Sequence, residues 1–197
     1  MSLLLASKSA ARQAMLAAAG VEFVTIDAPL DEEVVKRELR ADGLDAAALA
    51  IALAERKAIS ADAAADAWVL GADQTLELAD GTMLDKPASR EDAKAQLRRM
   101  AGEAHQLHSG AALVQAGAVR WRHVASVALK MRPLSDAFLA DYLDQEYEAV
   151  RWGVGGYRIE GPGAQLFTAI EGSHFVILGL PLLPLLAELR AIGLMAS

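Results

Sequence analysis

Ala67-Trp68-Val69-Leu70-Gly71-Ala72-Asp73-Gln74-Thr75 is an apolar run leading into small residues that carry one carboxylate. Residues 67–70 read as a buried strand, and the small residues after them as a turn presenting Asp73 at the strand end. A second extended piece brings Lys86 forward within Asp85-Lys86-Pro87, where the proline stiffens the chain. A carboxylate and an ammonium delivered at strand ends suit phosphate chemistry with a metal ion. Taken alone, the two residues are better read as a surface hairpin with an ordinary ion pair.

Outward from this stretch, strands and helices alternate. Leu3-Leu4-Leu5 is a strand, residues 9–19 a helix stopped by Gly20, and residues 21–26 a second strand. Residues 31–39 and the alanine-rich 45–65 read as helices, the latter with Leu49, Leu53 and Ala54 on its apolar side. Residues 75–84 are extended around an Asp80-Gly81 turn. Residues 89–100 form a helix with Ser89 as N-cap, Asp92 at the capping-box position and Gly102 as the stop. Residues 105–117 and 119–131 pair antiparallel about Gly117, and residues 135–146 are helical. Residues 153–163 are a glycine-rich loop, 164–180 read as strands, and 184–194 as a terminal helix. This order predicts an α/β fold with a mixed sheet. No linker, internal repeat or low-complexity tract interrupts it.

The 197 residues are enough for a real core, although much of the 54% apolar fraction is alanine. Net charge is −7, from 26 acidic and 19 basic residues, with no dense basic run, so a nucleic-acid polymer is not expected as a partner. The absence of cysteine excludes disulfides, thiol catalysis and cysteine-ligated zinc. The opening residues lack a basic leader, and the apolar run 176–186 contains Gly179, Pro181 and Pro184 and is short of the roughly 20 residues of a membrane span. A soluble cytoplasmic protein without membrane partners is expected.

Several constellations could carry chemistry. Ser7-Lys8-Ser9-Ala10-Ala11-Arg12 follows the first strand, where free N–H groups and hydroxyls at a helix start favour an anion; Ser9 or Ser7 capping with a solvated arginine is the alternative. Asp31-Glu32 is either a pair of loop acids able to bind a divalent metal or the acidic first turn of a helix, and Glu33 favours the latter. Lys57, four residues after Leu53, could reach a cleft from an apolar stripe. In Gly156-Tyr157-Arg158-Ile159-Glu160-Gly161-Pro162-Gly163, Glu160 could accept from a base edge. Ile170-Glu171-Gly172-Ser173 and Gly179-Leu180-Pro181 read as structural. His105 and His108 lie three apart in a strand, point to opposite faces and share no metal-site spacing. The phosphate-loop and dinucleotide signatures are absent.

In order, these pieces resemble the Maf family of nucleoside triphosphate pyrophosphatases. The match runs through Leu4-Leu5-Ala6-Ser7-Lys8-Ser9 with Arg12, Asp31-Glu32, Leu53-Ala54 with Lys57-Ala58, Gly71-Ala72-Asp73 and Asp85-Lys86-Pro87. It continues through residues 97–102, Ser109-Gly110, Tyr157-x-Ile159-x-Gly161, Ile170-Glu171-Gly172 and Gly179-Leu180-Pro181-Leu182. The resemblance implies one Maf-like domain over residues 1–197. Its fold would be a mixed twisted sheet with flanking helices in two lobes around a central cleft, similar to inosine triphosphatase. It implies hydrolysis between the α- and β-phosphates of a nucleoside triphosphate, a divalent cation (magnesium or manganese) and a homodimer. Asp73 would take the proton of water, and Glu32 would assist with metal or water, so both are candidate metal ligands. Lys57 and Lys86 would join them as catalytic residues that hold phosphate, with Ser7, Ser9 and Arg12 as substrate ligands. Gln74 and Glu160 resemble the branch acting on 7-methyl-GTP, whereas branches preferring dTTP or UTP carry threonine and glutamine there. The family often has Pro-Arg where Ala10-Ala11 stands, and the methylated-GTP branch usually has tryptophan at the Ala11 position. A nucleotide-binding regulator of cell division with little turnover is the alternative from another class.

Overall fold

A computed structural model describes residues 2–196. In chain order the elements are β1 (Leu3–Ala6), α1 (Ala10–Ala18), β2 (Val24–Thr25), α2 (Glu32–Ala41), α3 (Ala46–Ser60), β3 (Trp68–Leu78) and β4 (Met83–Leu84). They continue with α4 (Arg90–Met100), β5 (Ala104–Gln115), β6 (Ala118–Met131), α5 (Asp136–Val150), β7 (Phe167–Glu171), α6 (His174–Ile177) and α7 (Leu182–Ala191). The strands form a mixed seven-stranded sheet in the order β2-β1-β3-β5-β6-β7, with β4 paired to β3. No helix among the described residues is long and apolar enough to cross a membrane.

The chain divides into two compact units. The first holds the chain up to Gln74, His108–Ser126, and everything from Ser173 onward. In it β1 runs parallel to both β2 and β3, with Leu3 opposite Trp68 and Ala6 opposite Gly71. Alternation sorts the strand residues between two faces. Leu3, Leu5, Trp68, Leu70 and Ala72 pack with Met15 and Leu16 of α1 and Leu182, Leu185 and Leu189 of α7. Ala6 and Val69 pack on the other face against Ala58 of α3.

The second unit comprises Thr75–Leu107 and Val127–Gly172. Here β4 folds back on β3 about Gly81, β7 pairs antiparallel with β6, and α4 packs on α5. Ser89 caps α4 as expected, but the Asp92 carboxylate accepts from the Ala88 N–H, one residue further back than the capping box requires.

Four expectations need correction. The strand does not end at Gly71: β3 continues to Leu78, so Asp73 is mid-strand and no turn presents it. The small residues serve helix packing there. Helix α3 stops at Ser60, not residue 65, and the Ser60 hydroxyl donates to the Lys57 carbonyl in its last turn. Only Val24–Thr25 of the expected 21–26 strand is strand, followed by an Ile26 N–H to Leu5 O bond; its start is lost because the Val21 N–H closes α1, donating to Leu16 O while Gly20 N donates to Ala17 O. In residues 164–180 only β7 is a strand. Gly172, at φ +138°, ends it, and the apolar run after it forms α6, closed by Leu180 N to Phe175 O and Gly179 N to Val176 O. A short apolar run does not distinguish strand from buried helix.

Candidate active site

The site grows from the carboxyl end of β1 and from the stretch of β3 just past Gly71, where its parallel pairing with β1 stops. Past Ala6, β1 hands over to Ser7 and to Ser9, whose hydroxyl accepts the Arg12 N–H at 3.4 Å and caps α1. One turn in, Arg12 is buried and held from three sides. Its Nε donates to Gly179 O (2.8 Å), and its NH1 donates to Ala72 O (3.0 Å) and to Ser7 Oγ (3.2 Å). Burial lowers the guanidinium from its ordinary pKa, and the charges of Asp73 and Glu32 oppose that shift. Its NH2 has no hydrogen-bond partner among the described residues, which leaves one donor face for a ligand.

On the other face, α3 lies unusually close to the sheet. A Cβ placed on Gly71 would stand 2.0 Å from Ala54 O, and one on Gly110 would stand 2.6 Å from Ala50 O. Glycines in β3 and β5 therefore meet the small-residue row Ala50, Ala54 and Ala58 of α3, backbone against backbone. Lys57 sits between the last two of those alanines, and Asp73 lies two residues beyond Gly71 on the same face of β3. The close approach joins them: Lys57 Nζ donates to Asp73 Oδ1 at 2.8 Å. The same ammonium pairs with Glu32 Oε2 at 3.1 Å. Glu32 is the first residue of α2, whose N-cap is Asp31, so Asp31 is engaged as a cap and Glu32 turns to the site.

The Lys57 side chain is 9% exposed, that of Asp73 16% and that of Glu32 44%, so the cluster is sheltered on the lysine side and open at Glu32. Asp73 Oδ2 has no protein partner among the described residues. Among the described residues no third acid, histidine or cysteine joins the pair in a metal-binding group. Two carboxylates completed by phosphate and water oxygens are what magnesium and manganese accept, so the chemistry of the donor set fits a divalent cation.

Ser7, Ser9, Arg12, Glu32, Lys57 and Asp73 thus all lie in the first unit, around the end of β1 and the middle of β3. Lys86 and Glu160 belong to the second unit. Lys86 is exposed after β4. Glu160 is exposed in the glycine-rich loop, whose preceding residues are anchored: Arg158 donates to buried Glu146 (2.7 and 3.2 Å), and Tyr157 Oη lies 2.7 Å from His105 Nε2. Gln74 follows Asp73 and therefore faces the opposite side of β3. Its Nε2 donates to Ser109 Oγ (3.0 Å), Val176 O (2.8 Å) and Ile177 O (3.1 Å), so its amide nitrogen is held by protein. Two residues escaped the sequence reading. Gly179 seats Arg12, and Ser109, fully buried, joins the Gln74 bonds. The Ser109-Gly110 and Gly179-Leu180-Pro181 motifs marked both places without disclosing what they do.

The chain matches the family model described as Maf-like protein over residues 2–192. It is 50% identical over 195 residues to a nucleoside triphosphate pyrophosphatase of Sphingopyxis alaskensis, covering 98% of each chain. It is 47% identical to one from Hyphomonas neptunium, covering 94% of this chain and 93% of that one. It is 45% identical to a 7-methyl-GTP pyrophosphatase of Brucella suis, over 95% of this chain and 94% of that one.

Proposed function

We propose, from the premise that this chain belongs to the Maf family, that it is a nucleoside triphosphate pyrophosphatase. It hydrolyses the α–β phosphoanhydride, releasing a nucleoside monophosphate and pyrophosphate. The observation that carries this reading is the Asp73–Lys57–Glu32 cluster beside the anchored Arg12.

In this mechanism Lys57 holds both carboxylates in place, and Asp73 Oδ2, the oxygen turned away from Lys57, receives the proton of water. The water oxygen bonds to the α-phosphorus as the bond from that phosphorus to the bridging oxygen breaks, and pyrophosphate leaves with the bridging oxygen and its electron pair. Arg12 and the α1 N-terminus with Ser7 and Ser9 bind phosphate oxygens, placing positive potential where charge accumulates. Lys86 would add a second cation. Asp73 and Glu32 would hold magnesium or manganese. A divalent cation bound there would neutralise phosphate charge and acidify water.

The preferred base leans to 7-methyl-GTP. The name of the Brucella suis relative supports this, as does the exposed Glu160 carboxylate, which can accept from the N1–H and amino group of a guanine together. Pyrophosphate release from 7-methyl-GTP, GTP, dTTP and UTP with either cation tests it. A preference for 7-methyl-GTP that Glu160→Gln abolishes supports the lean. A preference for dTTP or UTP keeps the activity and removes the base assignment. No release from any of them by folded protein favours a nucleotide-binding regulator.

A further inference from the structure

Val176 O is the meeting point of three donors: Gln74 Nε2 at 2.8 Å, Ser109 Oγ at 2.7 Å and the Gly179 N–H at 3.1 Å. Gln74 also holds Ile177 O, so the last turn of α6 is tied to β3 and β5 at two successive carbonyls. Gly179 closes that turn at φ +100°, a conformation open to glycine, and its own carbonyl accepts from Arg12 Nε. There is no slack at this joint, because a Cβ on Gly179 would lie 2.9 Å from Arg12 Nε and 3.2 Å from its NH2. A continuous chain of hydrogen bonds thus runs from Gln74 and Ser109 through Val176 and Gly179 to the guanidinium. It lies wholly within the first unit. Two of the three acceptors around the Gln74 amide are backbone carbonyls, which only its NH2 end can satisfy; the third is the Ser109 hydroxyl.

We propose that Gln74, Ser109 and Gly179 are positioning residues for Arg12, and that Gln74 acts on the triphosphate through Arg12 instead of reading the base. This rests on the reading of Arg12 as a phosphate ligand. A buried arginine with Nε and NH1 committed to fixed carbonyls has its remaining NH2 aimed before substrate arrives, which lowers the ordering cost of binding. Releasing Val176 O from Gln74 or Ser109 frees the Gly179 turn and lets that NH2 wander.

The test uses inorganic tripolyphosphate, which has no base, as a competitive inhibitor of pyrophosphate release. The variants are Gln74→Met, Ser109→Ala, Gly179→Ala and Arg12→Met, with the Ser109→Ala/Arg12→Met and Gln74→Met/Arg12→Met doubles. Each single variant is expected to weaken tripolyphosphate inhibition roughly 5- to 30-fold, the factor that 1–2 kcal/mol produces. Gln74→Met should lower kcat/KM by a common factor for 7-methyl-GTP, GTP and dTTP. In the Arg12→Met background neither second substitution should weaken inhibition further, because the effect travels through Arg12. A merely structural weakening would instead persist in that background. Losses that add fully in the doubles overturn the relay. So does a Gln74→Met variant that changes the ratio between bases and leaves tripolyphosphate inhibition intact. If Arg12→Met itself leaves that inhibition unchanged, the phosphate role of Arg12 fails first, and the relay with it. Thermal melting separates folded variants from unfolded ones. If Ser109→Ala does not fold, Gln74→Met and Gly179→Ala perturb the chain from its two ends.

Discussion

Asp73 and Lys57 form the pair on which the chemistry is expected to turn. Asp73→Asn keeps the shape and the hydrogen bond to Lys57 but removes the proton acceptor. Turnover should fall about 10²- to 10⁴-fold with nucleotide binding kept, measured by pyrophosphate release and calorimetric titration. Nucleotide binding lost together with turnover would instead make Asp73 chiefly a binding group. His105 offers a second residue-scale outcome. Burial brings its pKa down to about 4, and its Nδ1 has no hydrogen-bond partner among the described residues. Between its ordinary value near 6.5 and about 4, the unfolded chain binds a proton that the folded protein refuses. Stability is therefore fully present above about pH 6.5 and falls as pH drops, by about 3 kcal/mol once pH 4 is reached. Urea midpoints at pH 7 and pH 4.5 read this difference. His105→Gln, which keeps a polar partner for Tyr157 and does not titrate, should flatten it. Equal pH slopes in both proteins would remove His105 as the cause.

At the scale of elements, the contact of α3 with β3 and β5 brings Lys57 and Asp73 together. Gly71→Ala places a methyl inside the Ala54 carbonyl, so the helix must lift or the strand bend. A stability loss of about 3 kcal/mol is expected from this overpacking, with a loss of activity in the protein that still folds, since Lys57 rides on the displaced helix. Gly117→Ala is the control. It meets nothing within 4 Å, has φ +73°, and should cost about 1 kcal/mol for its left-handed backbone while leaving kcat/KM unchanged. If Gly71→Ala folds and turns over like the parent, the close approach does not set the site. The helix starts at Ser9, Asp31, Asp45, Ser89 and Ser135 were legible because each cap is local: a side-chain oxygen accepts an N–H three residues on. The end of α3 and the helical α6 were not, because neither carries a signal in its own residues that outweighs alanine propensity or a short apolar run.

For the molecule as a whole, a ligand bound only by the folded state should raise stability by about 2.7 kcal/mol at 100 times its Kd. A non-hydrolysable nucleotide with an α–β methylene bridge, added with magnesium, should therefore raise the melting temperature of both the parent and Asp73→Asn. An unchanged melting temperature at saturating concentration would mean that the nucleotide is not held by the folded protein. The amino-acid sequence by itself determined the alternating α/β order, the mixed character of the sheet, the helix caps and the residue types expected of a phosphate site. These depend on periodicity, turn chemistry and short spacings that the chain carries locally. The tertiary structure decided which side chains meet. Asp73 and Gln74 are neighbours in sequence, yet strand alternation sends one to Lys57 under α3 and the other to Val176 of α6. Glu32 and Asp73 share one ammonium only because glycine in β3 and alanine in α3 let two backbones touch. Arg12 finds Gly179 across 167 residues of chain. Such pairings are set by packing between elements distant in sequence, and no local pattern encodes them.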